Sequence, residues 1–153
     1  SEGKTIDMKH VYDSFGCTGG NVSPELHWSD PPPGTKSFAV AVHDPDAPTG
    51  GAGFWHWLVV DIPGEVRSLK RGAGDASSKN LPPGAHQLET DFGDKAYGGP
   101  CPPPGKPHRY VFTVYALKID KLGDAAHGRT AIAGFTINQN AIAKASITAL
   151  FGR

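Results

Sequence analysis

FAVAVHDPDAPTGGAGFWHWLVVDI, residues 38–62, is the stretch around which the rest of the chain is organised. Residues 38–42 form an unbroken apolar run, the pattern of a strand covered on both faces. Asp44, Pro45, Asp46, Ala47 and Pro48 stop it. Proline cannot donate to a ladder, and aspartate favours local turns. Residues 49–53 are loop. Residues 54–62 resume as a strand dense in aromatic and β-branched side chains. Acids and histidines thus gather at one end of a hydrophobic sheet, where a pocket is expected.

Working outward, the chain has 153 residues, enough for one domain with a proper core. Formal net charge is zero, which argues against an electrostatic nucleic-acid binder. No apolar run reaches the length of a membrane span. There is no signal-like apolar N-terminus, although a mature exported protein looks the same after cleavage. Glycine (20) and proline (14) are frequent, which favours short strands and long ordered loops over a helical bundle. The two cysteines, Cys17 and Cys101, form no CxxC. They read either as free thiols in a reducing compartment or as one disulfide in an oxidising one.

Residues 15–24, FGCTGGNVSP, are glycine-rich loop; residues 26–28 allow a short strand before the SDPPPG turn cluster at 29–34. Residues 63–92 carry weak periodicity and suggest surface loops with at most one short strand. YGGPCPPPG, residues 97–105, excludes helix and central strand. It leads into HRYVFTVYAL, residues 108–117, a strong strand with His108, Tyr110, Phe112 and Val114 on one face. Residues 129–135 suggest a short helical turn. Residues 138–150 read as an amphipathic helix, with Ile142, Ala145, Ala149 and Leu150 at helical spacing and Asn138 as its N-cap.

Polar chemistry collects at strand ends. Asp44 follows the first strand, His56 lies within the second, and His108 and Tyr110 open the third. Alternation places Phe54, His56 and Leu58 on one face. If these strands are neighbours, two imidazoles and a phenol converge, and Gly98 and Gly99 offer backbone N–H groups. That set suits a small anion such as a phosphate ester. Asp44 makes sense as the carboxylate that orients a histidine and favours its charged form. Enzyme readings fit less well. His43, His56, His108 and Asp44 could be offered to zinc, but His43 and Asp44 are adjacent and point to opposite faces, and no HExxH spacing is present. GxSxG is missing, and Cys101 beside His108 reads better as a disulfide or inert thiol than as a nucleophile.

With HDPDAP, FWHWLVVDIP, GGPCPPPGKPHRYVFTVYAL and NVSPELHW all in view, the chain resembles the phosphatidylethanolamine-binding protein family, most closely its bacterial and archaeal, Raf-kinase-inhibitor-like branch. The resemblance runs from about residue 15 to 151. It implies a mainly β fold, with a large central sheet packed on a smaller one in a Greek-key arrangement and a C-terminal helix. It also implies a head-group pocket built from Asp44, Pro48, His56, His108 and Tyr110. Phe54 stands where animal members carry a tryptophan at the pocket mouth. Pro107 precedes the histidine, with one loop residue added. The C-terminal extension of the animal branch is missing, so a kinase-regulating role does not carry over. The family fold would bring the loops of Cys17 and Cys101 near the pocket rim, which favours the disulfide and a periplasmic or exported protein; without the bridge, the cytoplasm is expected.

The reading is therefore a non-enzymatic, cofactor-free single domain that binds a small anionic ligand, a phosphate ester or phospholipid head group. The alternative is an inhibitor or interaction protein that docks on a protease or kinase through loops such as residues 81–86. A homodimer is left open.

Overall fold

A computed structural model describes all 153 residues. The strands are β1 (Leu26–His27), β2 (Ser37–Asp44), β3 (Phe54–Pro63), β4 (Ser68–Leu69), β5 (His86–Gln87), β6 (His108–Leu117) and β7 (Ala141–Phe151). One α-helix, α1 (Thr130–Asn140), and 3-10 turns at Met8–His10 and Gly123–His127 complete the elements. The central sheet has five antiparallel strands in the order β5-β3-β2-β6-β7, and β1 pairs with β4 in a second, two-stranded sheet. β2, β3 and β5 are successive neighbours, and β6 returns to lie beside β2. This is the Greek-key order that the family resemblance implies.

β2 is apolar on both faces because both faces are covered. Phe38, Val40 and Val42 enter one core cluster with Trp57, Val59, Tyr110 and Phe112. That side is closed by loop residues such as Val11, Cys17, Ala73 and Tyr97, and by Leu69 of the small sheet. Ala39 and Ala41 enter a second cluster with Leu58, Val60, Leu117, Ala133 and Ile137, closed by α1.

Two register shifts bend β3. Val42 pairs with Trp57 but His43 pairs with Trp55, so His56 is the extra residue of a β-bulge. The bulge puts His56 and Trp57 on the same side. Leu58, expected to share a face with His56, packs into the opposite cluster instead. Strict alternation cannot anticipate a bulge. The second shift lies between Phe38 and Val40, where Asp61 takes a positive φ of 56°.

The C-terminal region differs from the expected helix over residues 138–150. The helix is α1, ending at Asn140, and Arg129 is its N-cap residue rather than Asn138. Ala141–Phe151 is strand β7, paired along the whole of β6. The sequence AIAKASITALF fits both periods, since Ala143, Ala145, Ile147 and Ala149 also alternate. A ten-residue partner with an open edge decides for the strand, tertiary context overriding a weak local pattern. The N-terminal segment covers part of the outer edge of β7: Thr5 bridges Leu150, and the Ile6 N–H donates to the Leu150 carbonyl at 2.8 Å.

Candidate functional site

The end of β2, the start of β3 and the start of β6 meet at one end of the sheet. The turn leaving β2 is tied down by its own aspartates. Asp44 Oδ1 accepts from the Asp46 N–H at 2.8 Å, an Asx-type turn. Asp46 in turn accepts from the Arg109 backbone N–H at 2.8 Å and from its guanidinium at 2.8 and 3.0 Å. Those hydrogen bonds hold the Asp46 carboxyl down at about 2. The fork clamps the turn to β6 and so fixes the neighbour of Arg109, His108.

The second oxygen of Asp44 is 2.7 Å from His108 Nδ1. A carboxylate only accepts, so Nδ1 carries the proton and Nε2 is the free nitrogen. Asp44 is buried and His108 nearly so. The expectation that Asp44 orients a histidine is met at His108.

His56 is held differently. Its Nδ1 donates to the Gly98 carbonyl at 2.8 Å. Desolvation pushes the imidazole down to about 4, outweighing the Gly98 hydrogen bond and the attraction of Asp44. His56 is therefore neutral near pH 7, with its proton on Nδ1, and of the two histidines it is His108 that Asp44 orients. Aromatic rings surround it: Phe54 at 5.0 Å, Tyr110 at 5.2 Å and Phe92 at 5.4 Å between centroids.

Tyr110 is 0% exposed, and its hydroxyl has no hydrogen-bond partner. Burial, then the nearby Asp44 charge, raise its pKa far above the ordinary phenol range. Asp44, whose oxygens accept from Asp46 and His108, lies near enough to raise the hydroxyl's pKa, but no hydrogen bond of good geometry joins the two. An unpartnered buried hydroxyl costs free energy, on the order of 1–3 kcal/mol, so it calls for an explanation.

The remaining expected residues fall as follows. Phe54 packs 4.7 Å from Phe92 and joins the aromatic wall. Gly98 and Gly99 do not offer free N–H groups: the first donates to the His56 carbonyl at 2.9 Å, the second to Asn21 Oδ1 at 2.8 Å. They are glycine because a Cβ at Gly98 would lie 2.3 Å from the Phe92 ring, and one at Gly99 would lie 2.2 Å from the His10 carbonyl oxygen. Pro48 is exposed in the turn between β2 and β3. Cys17 and Cys101 are at disulfide distance, with Sγ atoms 2.07 Å and Cα atoms 5.9 Å apart. Phe92, absent from the sequence-based set, walls the His56 side, and nothing in TDFGD (residues 90–94) signals it. No cluster of three or more metal-ligating side chains is present. Two cavities of about 470 and 730 Å³ are present, neither lined by His56, His108 or Tyr110: one runs along the β6–β7 face beside Trp28, and the other lies between residues 12–23 and 72–98 and is lined in part by Phe92 and Gly98.

A fold of this order, with an acid, two histidines and a tyrosine at one sheet end, can be set beside known proteins. The family model for phosphatidylethanolamine-binding protein matches residues 1–152, and the chain belongs to that family. It is similar to the UPF0098 protein YbcL of Escherichia coli (strain K12), 50% identical over 150 residues, with 97% of this chain and 81% of YbcL covered. The crystal structure of E. coli YbcL, described as a member of the mammalian PEBP family, matches with a TM-score of 0.95 at 49% identity. It covers 99% of this chain and 93% of that one. The UPF0098 protein YbhB of the same organism is 45% identical over 150 residues, covering 98% of this chain and 94% of YbhB. A protein of Mycobacterium tuberculosis (strain ATCC 25618 / H37Rv), named putative lipoprotein LppC, is 40% identical over 106 residues, covering 69% of this chain and 48% of LppC.

Proposed function

We propose that the chain is a non-enzymatic binding protein that holds a small oxyanion, a phosphate ester or the head group of a phospholipid, between His56, His108 and Tyr110. The observation that carries this reading is the Tyr110 hydroxyl, buried and without a partner in the protein. A ligand oxygen would supply that partner. His108 presents Nε2 because Asp44 holds Nδ1, and His56 presents Nε2 because the Gly98 carbonyl holds Nδ1. Phe54 and Phe92 set apolar rings beside His56, and low local polarity strengthens polar contacts. No side chain in the cluster is arranged as a nucleophile beside a base, which favours binding over turnover. The family's name agrees with a binding role.

Calorimetric titration with phosphoethanolamine tests the reading. Binding is expected, and His108→Ala should weaken it about 10-fold to 100-fold, the loss of one hydrogen bond to a charged group. Equal affinity in the variant would remove the site from consideration and favour docking on a protein target through surface loops.

We further propose that the protein works in an oxidising compartment. The support is the cysteine pair at bonding distance and the lipoprotein name of one relative.

A further inference from the structure

β7 closes one side of the central sheet, and its outer edge is occupied over only part of its length. Near its C-terminal end the edge takes an extended segment of the chain itself. The Gly3 N–H donates to the Thr148 carbonyl at 2.7 Å, the Leu150 N–H to the Lys4 carbonyl at 2.9 Å, and the Ile6 N–H to the Leu150 carbonyl at 2.8 Å. The Glu2 carboxylate accepts from the Thr148 N–H at 2.8 Å, and a turn closed by the Lys4 N–H on the Ser1 carbonyl carries the chain off the edge. Thr148 and Leu150 thus direct their backbone groups outward, and in an antiparallel ladder outward positions recur at every second residue. Lys144 and Ser146 therefore also turn their N–H and C=O away from β6, and no other segment of the chain bonds them. Such an edge is a template for pairing with another chain.

The open edge is also one wall of the 470 Å³ cavity. Ala143, Ala145 and Ile147 line that wall, Phe112 and Val114 of β6 lie beside them, and Trp28, Pro31 and Pro32 line the side over β2, where Trp28 packs 5.4 Å from Phe38. Residues 142–147 are all exposed. Side chains of a strand alternate between its two faces. On a strand added to this edge, one set would meet the groove. The other set would meet Lys144 and Ser146, which stand opposite Tyr115 and Thr113 on the far face.

We propose that residues 141–147 are a docking edge for an extended peptide segment of a partner protein, one that alternates apolar residues with acidic ones. Its main chain pairs with β7, its apolar side chains lie in the groove, and its acids face Lys144. Lys144 is the single charged residue of β7 and sets the sign of the partner. It also disfavours a second copy of this chain, because a two-fold pairing of residues 141–147 with themselves centres on Lys144 and puts like charges directly opposite each other. A lysine alone would serve only to keep an edge unpaired. The apolar groove beside it, and the extended segment already seated further along the same edge, are what point to a peptide. The site is separate from His56, His108 and Tyr110, none of which lines the groove.

The test is titration of the full chain with a capped pentapeptide alternating valine and glutamate, read by backbone amide NMR shifts. A valine–lysine peptide of the same length and an N-methylated valine–glutamate peptide are the comparisons. Saturable shifts are expected at Lys144 and Ser146, with affinity about tenfold above that of the valine–lysine peptide. The N-methylated peptide, which has no N–H to give, should not bind. Lys144→Glu, a change at an exposed position, should reverse the preference between the two charged peptides. Equal affinity for both, equal binding of the N-methylated form, or no saturable shift at β7 would overturn the proposal. Sedimentation of the free chain tests the other occupant: a dimer in which the Lys144 and Ser146 amides are protected from exchange would overturn it in favour of a second copy.

Discussion

At the scale of single residues, two side chains make the stability cost of the proposed site measurable. The Tyr110 hydroxyl is buried and has no hydrogen-bond partner among the protein's own groups. Tyr110→Phe should therefore leave ligand-free stability unchanged or raise it by about 1 kcal/mol, while weakening phosphate binding about tenfold. Urea denaturation and a phosphate titration of the same variant give both numbers. A clear loss of stability would mean that the hydroxyl is bonded within the protein. His56 makes a complementary prediction. Burial depresses its folded-state value from 6.5 to about 4, so the unfolded chain takes up the proton first as pH falls. Its contribution is complete above about pH 6.5, declines below that, and is lost by about pH 4, where the difference reaches roughly 3 kcal/mol. Denaturation midpoints across that window should fall more steeply in the wild type than in His56→Gln. Parallel curves would place His56 in solvent.

At the scale of elements, the strands that build the site were legible and their irregularities were not. β2, β3 and β6 announce themselves by apolar and aromatic runs, and the turn after β2 by its prolines and aspartates. The bulge at His56 left no trace, because the mixed apolar run from Phe54 to Ile62 satisfies either register. The end of the chain was read with the wrong period. Ile142, Ala145 and Ala149 lie at helical spacing, yet pairing with β6 makes them a strand. α1 is itself a poor helix by composition. It contains Gly134, two threonines and two asparagines, and buries only Ala133 and Ile137. Its threonine and asparagine side chains bond back to carbonyls four residues earlier, as at Thr136, Asn138 and Asn140. Between elements, the Cys17–Cys101 pair joins two glycine- and proline-rich loops across 84 residues. Closing so long a loop should stabilise the fold by roughly 4–5 kcal/mol in the chain-entropy model. Thiol titration of unreduced, denatured protein should find no free thiol, and Cys17→Ser/Cys101→Ser should unfold at markedly lower urea. Two reactive thiols would contradict the bridge.

At the scale of the whole molecule, family and architecture could be read from long ordered motifs, because those motifs are the strand ends and turns that the fold gathers together. HDPDAP supplies the Asp44 and Asp46 clamps, FWHW supplies the bulged His56, and HRY supplies His108, the Arg109 fork and Tyr110. What could not be read were properties that depend on burial and on partners distant in sequence. The neutrality of His56, the engagement of the Gly98 and Gly99 N–H groups, and the wall formed by Phe92 belong to this class. Each arises where a loop of weak pattern folds against a strand. The central claim is that an oxyanion completes the hydrogen bonding of this sheet end. A crystal structure of the protein grown without phosphate and soaked in phosphoethanolamine tests it most directly. The account predicts the phosphate group within hydrogen-bonding distance of Tyr110 Oη, His56 Nε2 and His108 Nε2, with the Asp44–His108 and Gly98–His56 contacts unchanged. A phosphate group bound only elsewhere, with the Tyr110 hydroxyl still unpartnered, would contradict it.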